Sequence, residues 1–324
     1  MTLSVGVIGL GVMGAEHLRL LREESTGVRV AAICDADTER ARLLAQDAVV
    51  LDDPMALISS DNVDAIVIAS PDATHADLAL ACVSAGKPAL CEKPLATSAA
   101  EALRVVDAEV AIGRRLLQGG YMRRFDPAYV EMKQVADSGR IGATVILHNV
   151  HRNAAAPEWF TGPMSVTNSF VHEIDISRWL LGSELVSAIV HAAPGGDPLL
   201  ITMETDRGEI VSTEVFMNAH YGYHVHAQLV GRAGTVQMAQ PSLTLTNGNR
   251  HHGHGYPENW VPRFRDAYRL QMNDWVRSVV SGQPVGASAW DGYVATAVAE
   301  QVVTALQTAT KTKLFLGARP ELYA

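Results

Sequence analysis

The chain has 324 residues, of which 48% are hydrophobic, and its formal net charge is −9. This length and apolar content allow a large core and predict a soluble globular protein of two domains. The negative charge, with no run of Lys or Arg longer than a pair, excludes a nucleic-acid or anionic membrane partner and favours small molecules.

The three cysteines, Cys34, Cys82 and Cys91, form an odd set without CxxC spacing. Neither a disulfide framework nor a zinc site is therefore expected, and the predicted location is the reducing cytoplasm. The first apolar strand begins at Leu3, which leaves no room for a signal peptide. No apolar run reaches the ~20 residues that span a bilayer.

In the first third of the chain, short apolar runs alternate with amphipathic stretches. The runs read LSVGVIG, VRVAAIC, DAIVIAS, PALCE and RLLQGG, and the helical patterns cover residues 16–22, 75–85 and 98–112. This βαβα rhythm predicts an α/β domain with a doubly wound parallel sheet.

After Tyr121 the rhythm changes. A helix near residues 127–138 leads into ATVILHNVHRN and a helix near residues 168–181, and then LVSAIVHA, LLITMET, EIVSTEVFMNA, HVHAQLVG and GTVQMA read as strands. Strands in hairpin succession predict an α+β domain with a mainly antiparallel sheet. Helices near residues 263–280 and 290–308 close the chain, and the expected domains are residues 1–120 and 121–324.

A glycine loop follows the first strand. GVIGLGVMGAEH places Gly9, Gly11 and Gly14 as GxGxxG, which permits a tight turn and a close approach of the backbone to a pyrophosphate. The second strand ends in Asp35, about 20 residues beyond the last glycine, where an acid binds the ribose diol. Asp37 adds a second charge, and we see no arginine where a 2′-phosphate would lie. The pattern predicts a Rossmann domain that prefers NAD to NADP.

Two more loops, SPDATH and CEKPLA, follow the next two strands. Because open α/β sheets bind ligands at the carboxyl ends of their strands, these loops complete the predicted cofactor site. Its residues are Gly9, Gly11, Val12, Met13, Gly14, Asp35, Ser70, Pro71, His75, Glu92 and Lys93.

With these segments, YMRRFDPAY, HRN, VHEIDISRWLLG, VFMNAHYGY and FRDAY resemble the inositol 2-dehydrogenases. That group lies within the family of glucose–fructose oxidoreductase and inositol dehydrogenase (Gfo/Idh/MocA). The resemblance implies that Lys93 and His172 flank the carbon that exchanges hydride. The family has an aspartate one helical turn before that histidine, where this chain has Asn168, which we count with the catalytic residues.

The resemblance also implies which residues hold the hydroxyls of a ring polyol: Arg123, His151, Asn153, Asn168, His172 and Asp175. Oxidising a secondary alcohol needs a base for the hydroxyl proton, and a neutral amine or imidazole suits this work near pH 7. Helical spacing places Asn168, His172 and Asp175 on one polar stripe. Phe170, Val171, Ile174 and Leu181 fall on the face expected to be buried.

We therefore predict an NAD-dependent oxidoreductase that acts on a secondary hydroxyl of a cyclitol or sugar. The alternative is a dehydrogenase or ketone reductase of a modified sugar in a biosynthetic pathway. Asn168 separates the two readings: it either replaces the aspartate as a weaker partner of His172 or contacts a different substrate. The sequence favours the second, because Lys93 remains available to carry the proton.

Three further expectations concern partners and metals. A glycosidase that uses the nicotinamide transiently and a nucleotide-bound scaffold are the readings from other classes. Relatives associate as tetramers through the second-domain sheet, so a homo-oligomer is expected by analogy. His251, His252 and His254 in HHGHGY are interpreted as a flexible loop and not as a metal site, because glycines flank them and no carboxylate cluster is near.

Overall fold

A computed structural model describes residues 2–160, 162–239, 244–248 and 250–324. Its contacts divide the chain into two compact units. The first combines Met1–Met122 with Tyr268–Thr296 and Gly317–Ala324, and the second combines Arg123–Ala267 with Ala297–Leu316. None of the helices in the described ranges combines the length and apolar character that a membrane span requires.

The first unit contains a six-stranded sheet. Its strands are β1 (Leu3–Ile8), β2 (Val28–Cys34), β3 (Val49–Leu51), β4 (Ala65–Ile68), β5 (Ala89–Cys91) and β6 (Leu117–Gly119). The helices between them are α1 (Val12–Arg19), α2 (Thr38–Leu44), α3 (Pro54–Ser59), α4 (His75–Ser84) and α5 (Ala99–Ile112).

The strand order is β3-β2-β1-β4-β5-β6, and every pair is parallel. All residues of β1 and β4 are buried, as expected for a parallel sheet covered on both faces. The order reverses between β1 and β4, which is the position where doubly wound sheets bind ligands. The predicted α/β class is confirmed, although β3 and the short helices α2 and α3 escaped sequence reasoning.

The second unit is built on a seven-stranded sheet with helices α6 (Pro127–Asp137), α7 (Val171–Leu181) and α8 (Trp260–Arg263). The strands are β7 (Thr144–Arg152), β8 (Leu185–Ala192), β9 (Leu199–Thr205), β10 (Ile210–Phe216), β11 (His224–Gly231), β12 (Gly234–Gln237) and β15 (Thr312–Lys313). A separate two-stranded sheet consists of β13 (Thr246–Gly248) and β14 (His251–Gly253). The strand order in the seven-stranded sheet is β12-β11-β7-β10-β9-β8-β15. Only β7 and β10 pair in parallel in this sheet as described, so the prediction of a mainly antiparallel sheet is confirmed.

Two long helices, α9 (Arg265–Ser281) and α10 (Ala289–Thr308), follow the second sheet in the chain. Compactness assigns most of α9 to the first unit, whereas a single cut near residue 120 would give it to the second. The physical reason is specific bonding: Gln271 donates to Gly119 O (3.3 Å) and Asn273 donates to Glu24 O (3.0 Å). The terminal Tyr323 hydroxyl donates to Glu109 at 2.7 Å.

The HHGHGY segment differs from the flexible loop that was expected. Strand β14 pairs with β13, with Asn247 opposite His252, and His252 Nδ1 lies 2.6 Å from Asn247 Oδ1. His254 Nδ1 lies 3.0 Å from Thr244 O, whereas the side chain of His251 is outside the described part of the chain. Cross-strand pairing overrides the glycine content here.

Candidate active site

The glycine loop has the shape that a dinucleotide needs. Gly9 has φ +86°, and a Cβ there would lie 2.5 Å from Ala69 O and Ser70 N. A Cβ on Gly14 would lie 1.8 Å from Gly9 O, so helix and strand approach too closely for any other residue. Gly11 caps α1 and has open space around its Cβ position. Val12 follows with 72% exposure, so the helix N-terminus opens toward solvent, where a phosphate can bind.

Asp35 is fixed at the mouth of a cleft. The Leu10 N–H donates to its Oδ2 at 2.5 Å, and the Asp37 N–H donates to its Oδ1 at 2.7 Å. The cleft has a volume of about 790 Å³, and its walls include Gly9, Gly11, Asp35, Asp37, Ser70 and Pro71. The described residues therefore fit an adenine dinucleotide: backbone amides for the pyrophosphate and an acid for the ribose.

His75 supports this cleft from behind. It is 1% exposed, and its ring nitrogens lie 2.8 Å from Ser70 O and 2.7 Å from Pro94 O. The ring thus ties the SPDATH loop to the turn that carries Lys93. Cofactor contact by His75 stays a prediction, and in the structure its ring joins the two loops that carry Ser70 and Lys93.

Lys93 is held on a constrained turn directly after β5. The Lys93–Pro94 peptide is cis, and Lys93 is half-buried. The preceding Glu92 is 6% exposed; its Oε1 lies 2.8 Å from His17 Nε2, and its Oε2 accepts the Lys93 N–H at 3.3 Å. Gly120 lines the same spot, since a Cβ there would lie 2.7 Å from Glu92 Oε2. The buried Glu92–His17 pair connects the Lys93 turn to α1, the helix that begins in the glycine loop.

In the second unit, His172 lies in the first turn of α7. A π-helical segment, Ser165–Phe170, leads into this helix. The polar stripe predicted from the sequence assumes that Asn168 lies one α-helical turn before His172. The π-helical segment changes this spacing, because its hydrogen bonds join residues i and i+5. Thr167 Oγ1 donates to Asn168 Oδ1 at 3.1 Å, and His172 is 8% exposed.

The predicted core face of α7 is correct. Phe170 and Ile174 are fully buried, and Val171 and Leu181 are 1% and 5% exposed. The polar side is nevertheless not solvated, because every residue of α7 except Trp179 is buried. Helix α7 therefore has to satisfy its polar groups inside the unit.

Glu173 is the centre of a buried charge cluster. Arg123 Nη1 donates to Glu173 Oε1, and His151 Nδ1 lies 3.0 Å from the same carboxylate. Tyr223 completes the cluster, with its hydroxyl 3.5 Å from His151 Nε2. Burial alone would raise the pKa of Glu173, but the charges of Arg123 and His151 outweigh it and lower the pKa. Burial raises the pKa of Tyr223 to about 12.

Asp175 is also committed to a guanidinium. Arg124 Nε donates to its Oδ2 at 3.0 Å, and Arg124 Nη2 donates to its Oδ1 at 2.5 Å. The Asp175 side chain is 1% exposed. A bidentate pair of this kind fixes the carboxylate plane.

Asn153 follows β7 and differs from these buried charges. Its backbone pairs with Phe216 O and with the Ala219 N–H, and its Nδ2 donates weakly to Met217 Sδ at 3.7 Å. Its Oδ1 finds no hydrogen-bond donor among the described residues. Of the residues predicted to hold a polyol, Asn153 therefore offers a free acceptor.

The structure brings some of the predicted residues together within each unit. Of the predicted cofactor residues, the cleft of the first unit is lined by Gly9, Gly11, Asp35, Ser70 and Pro71, and in the second unit Arg123 and His151 gather around Glu173. Among the described residues, no group of three or more His, Cys, Asp or Glu could hold a metal ion.

Sequence reasoning misses four residues that the structure makes prominent: His17, Arg40, Arg124 and Glu173. The position of His17 was predictable from helical spacing, because it shares the buried side of α1 with Gly14 and Leu18. Arg40 lies one turn into α2, beyond the residues that directly follow Asp35, and it lines the cleft. No sequence pattern indicates Glu173 or Arg124. Glu173 pairs with Arg123, 50 positions away, and Arg124 pairs with Asp175, 51 positions away.

The parallel sheet, the glycine loop and the acid at the end of β2 define the class of dinucleotide-dependent oxidoreductases. Two family models match the chain. One is described as "Oxidoreductase family, NAD-binding Rossmann fold" and matches residues 3–120, and the other is described as "Oxidoreductase family, C-terminal alpha/beta domain" and matches residues 135–314. The chain belongs to this Gfo/Idh/MocA family and is an NAD-dependent oxidoreductase.

Similar proteins and structures carry more specific names. The chain is 50% identical to inositol 2-dehydrogenase 1 of Saccharopolyspora erythraea, over 100% of this chain and 99% of the relative. It is 40% identical to inositol 2-dehydrogenase of Paracoccus denitrificans, over the whole of both chains. The structure of myo-inositol dehydrogenase from Lactobacillus casei in complex with NAD(H) and myo-inositol is 30% identical and superposes with a TM-score of 0.96, covering 100% of both chains.

Proposed function

We propose that this protein is an NAD-dependent inositol dehydrogenase that oxidises one secondary ring hydroxyl to a ketone. The observation that carries the proposal is the 50% identity to an inositol 2-dehydrogenase over the full chain. The match covers 100% of this chain, so it spans both units. The modified-sugar alternative receives no support from the comparisons.

The chemistry divides between a proton and a hydride. When bound, NAD accepts the hydride from the substrate carbon. Lys93 Nζ takes the hydroxyl proton as general base, and the His172 ring donates or accepts a hydrogen bond at the reacting oxygen. The backbone of Gly11 and the side chain of Asp35 hold the cofactor, and the Lys93 turn is kept in place by Glu92 and His17.

For the polyol, we propose two kinds of residue. Asn153, Asn168 and His172 contact ring hydroxyls, because Asn153 offers a free acceptor and an amide can both donate and accept. Arg123, His151 and Asp175 belong to the same site, and their buried pairs with Glu173 and Arg124 hold its shape. A rigid, pre-paired wall suits a substrate whose hydroxyls differ only in orientation.

A panel of myo-, scyllo- and chiro-inositol, glucose and modified sugars, assayed by NADH absorbance, tests this function. We expect an inositol to have the highest kcat/KM. A modified sugar preferred to every inositol would overturn the proposal and restore the alternative reading of Asn168.

Asn168→Asp then identifies the role of the amide. If Asn168 is a tolerated replacement beside His172, the variant keeps the wild-type order of inositols and gains rate. If the amide contacts a hydroxyl of the preferred isomer, the variant changes that order. Thr167→Val, which removes the donor to Asn168 Oδ1, is the matched control for the orientation of the amide.

We further propose a homo-oligomer, a tetramer by analogy with relatives, in the cytoplasm. The support is the alternation of β9, β10 and β11, which buries one sheet face and leaves the other half-exposed. Leu200 and Ile210 on that other face are 46% and 42% exposed. Analytical ultracentrifugation of the wild type and of Leu200→Glu tests it: a smaller assembly of the variant supports this face, and a monomeric wild type refutes the oligomer.

A further inference from the structure

Arg40 occupies an unexpected position in the cofactor cleft. It lies on α2, with Nη1 3.5 Å from Asp35 Oδ1 and Nη2 3.2 Å from Asp37 Oδ2. Its side chain lines the cleft and is 46% exposed. The expectation that no arginine lies near the ribose acid is therefore wrong, although NAD remains the cofactor.

The two acids that pair with Arg40 differ in exposure and in how firmly their carboxylates are fixed. Asp35 is 9% exposed and is immobilised by the N–H groups of Leu10 and Asp37. Asp37 is 48% exposed, and its Oδ1 accepts the Arg40 N–H as the N-cap of α2. Ion pairs with this much exposure at such distances contribute little, so the guanidinium can exchange partners at small cost.

The position of Asp35 also locates the part of the cofactor that distinguishes NADP. An acid at the end of the second strand binds the ribose 2′-hydroxyl of NAD, and an arginine nearby accommodates the 2′-phosphate of NADP. A guanidinium 3.5 Å from Asp35 lies within reach of that 2′ position. Arg40 can pair with two phosphate oxygens at once, as guanidinium groups do.

We infer that Arg40 is a specificity-determining residue: Asp35 and Asp37 hold it when NAD binds, and it becomes a 2′-phosphate ligand once the Asp37 charge is removed. The low affinity for NADP then comes from competition for Arg40 as well as from repulsion. The inference goes beyond the proposed substrate, because it concerns only the cofactor cleft of the first unit.

Binding of NAD and NADP to the full-length protein, measured by isothermal titration calorimetry, provides the test. Wild type should bind NAD at least about tenfold tighter than NADP. Asp37→Asn keeps the helix cap, because asparagine caps as well as aspartate. It should tighten NADP binding at least about tenfold, the value of one charge-assisted bond, and change NAD binding by a smaller factor.

Arg40→Gln supplies the decisive comparison. In the Asp37→Asn background it should abolish the gain in NADP affinity, and in the wild type it should weaken NADP binding further. Arg42→Gln is the matched control: it makes the same charge change two positions along α2, where Arg42 pairs with exposed Glu39, and it should have no such effect.

Three outcomes overturn the inference. A gain that persists in the double variant means that charge repulsion alone sets the preference. An equal loss of NAD and NADP binding in Arg40→Gln means that the guanidinium contacts a part common to both cofactors. An effect of Arg42→Gln as large as that of Arg40→Gln means that only the overall charge matters. Since no turnover is measured, a wrong substrate assignment leaves these results unaffected.

Discussion

Each unit carries a candidate proton-transfer residue whose neighbour in the sequence is a buried acid. Glu92 precedes Lys93 in the first unit, and Glu173 follows His172 in the second. Both acids are nearly or fully buried, at 6% and 0% exposure. Their partners differ: Glu92 has one imidazole and one backbone N–H, whereas Glu173 has a guanidinium as well as an imidazole.

The difference separates two ways of positioning a candidate catalytic side chain. Around Glu92 the backbone sets the geometry, because Gly120 leaves room for the carboxylate only by lacking a Cβ. Around Glu173 the charges set it, because Arg123 and His151 outweigh the burial that would raise its pKa. Removing a charge should therefore disturb function more than stability at Glu92, and stability first at Glu173.

The largest effect should come from Lys93 itself. Lys93→Met removes the proposed base, and general acid–base catalysis contributes about 10² to 10⁴ in rate. We expect kcat to fall within that range while calorimetry finds NAD binding retained, since the glycine loop is intact. Lys311→Met, at an exposed pair with Glu204, is the control and should keep wild-type turnover. Normal turnover of Lys93→Met would remove Lys93 from the mechanism.

Glu173→Gln should lower the free energy of unfolding, because it removes the charge at the centre of the buried cluster. Breaking a buried ion pair by removing one partner costs about 3–5 kcal/mol, because the other charge is left buried. Urea unfolding should show this loss, whereas Glu39→Gln, at an exposed pair with Arg42, should change little.

A second substitution sharpens that result. Adding Arg123→Met to Glu173→Gln removes the uncompensated charge and should recover part of the stability. If Glu173→Gln is as stable as Glu39→Gln, the cluster does not hold α7, and the distinction between the two acids fails.

The same contrast explains what the sequence could predict. Strands, glycine loop and ribose acid follow from local spacing, so β1, β2, Gly9 and Asp35 were predictable. Strand β3 was not, because three residues carry too little periodicity to be distinguished from a loop. The π-helical segment before α7 was also hidden, since residues 165–170 show no feature that separates it from an α-helix.

Within the site, the sequence could not predict which charged side chains pair with one another. The resemblance names Arg123, His151 and Asp175 as polyol ligands, but it does not reveal that Glu173 and Arg124 already engage them. Such pairs join residues far apart in the chain. Their existence depends on the burial of every residue of α7 except Trp179, which a helix with a polar stripe does not suggest.

Glu92→Gln should have a smaller effect than Glu173→Gln on stability and a selective one on function. The amide keeps the shape but loses the charge that faces His17, so the Lys93 turn shifts slightly. A displacement of this kind costs about tenfold in kcat, and we expect NAD affinity, in which the sequence also predicts a role for Glu92, to change by a smaller factor. His17→Gln should reproduce it, and Glu16→Gln, on the same helix at a partly exposed pair with Arg19, should not. A change in NAD affinity without a change in kcat would assign Glu92 to the cofactor site.

The smallest effect is the pH dependence that Glu173 imparts. Its pKa is lowered in the folded protein, so the folded state binds this proton less readily than the unfolded state does. The resulting stability is complete above the ordinary carboxyl value of about 4.3 and is lost as pH falls through the lower folded value. The difference in unfolding midpoint between wild type and Glu173→Gln should therefore be constant near neutral pH and shrink below about pH 4. If the wild type and Glu173→Gln keep a constant difference down to the lowest pH at which both fold, Glu173 does not titrate there, and charge pairing is not what distinguishes the two units.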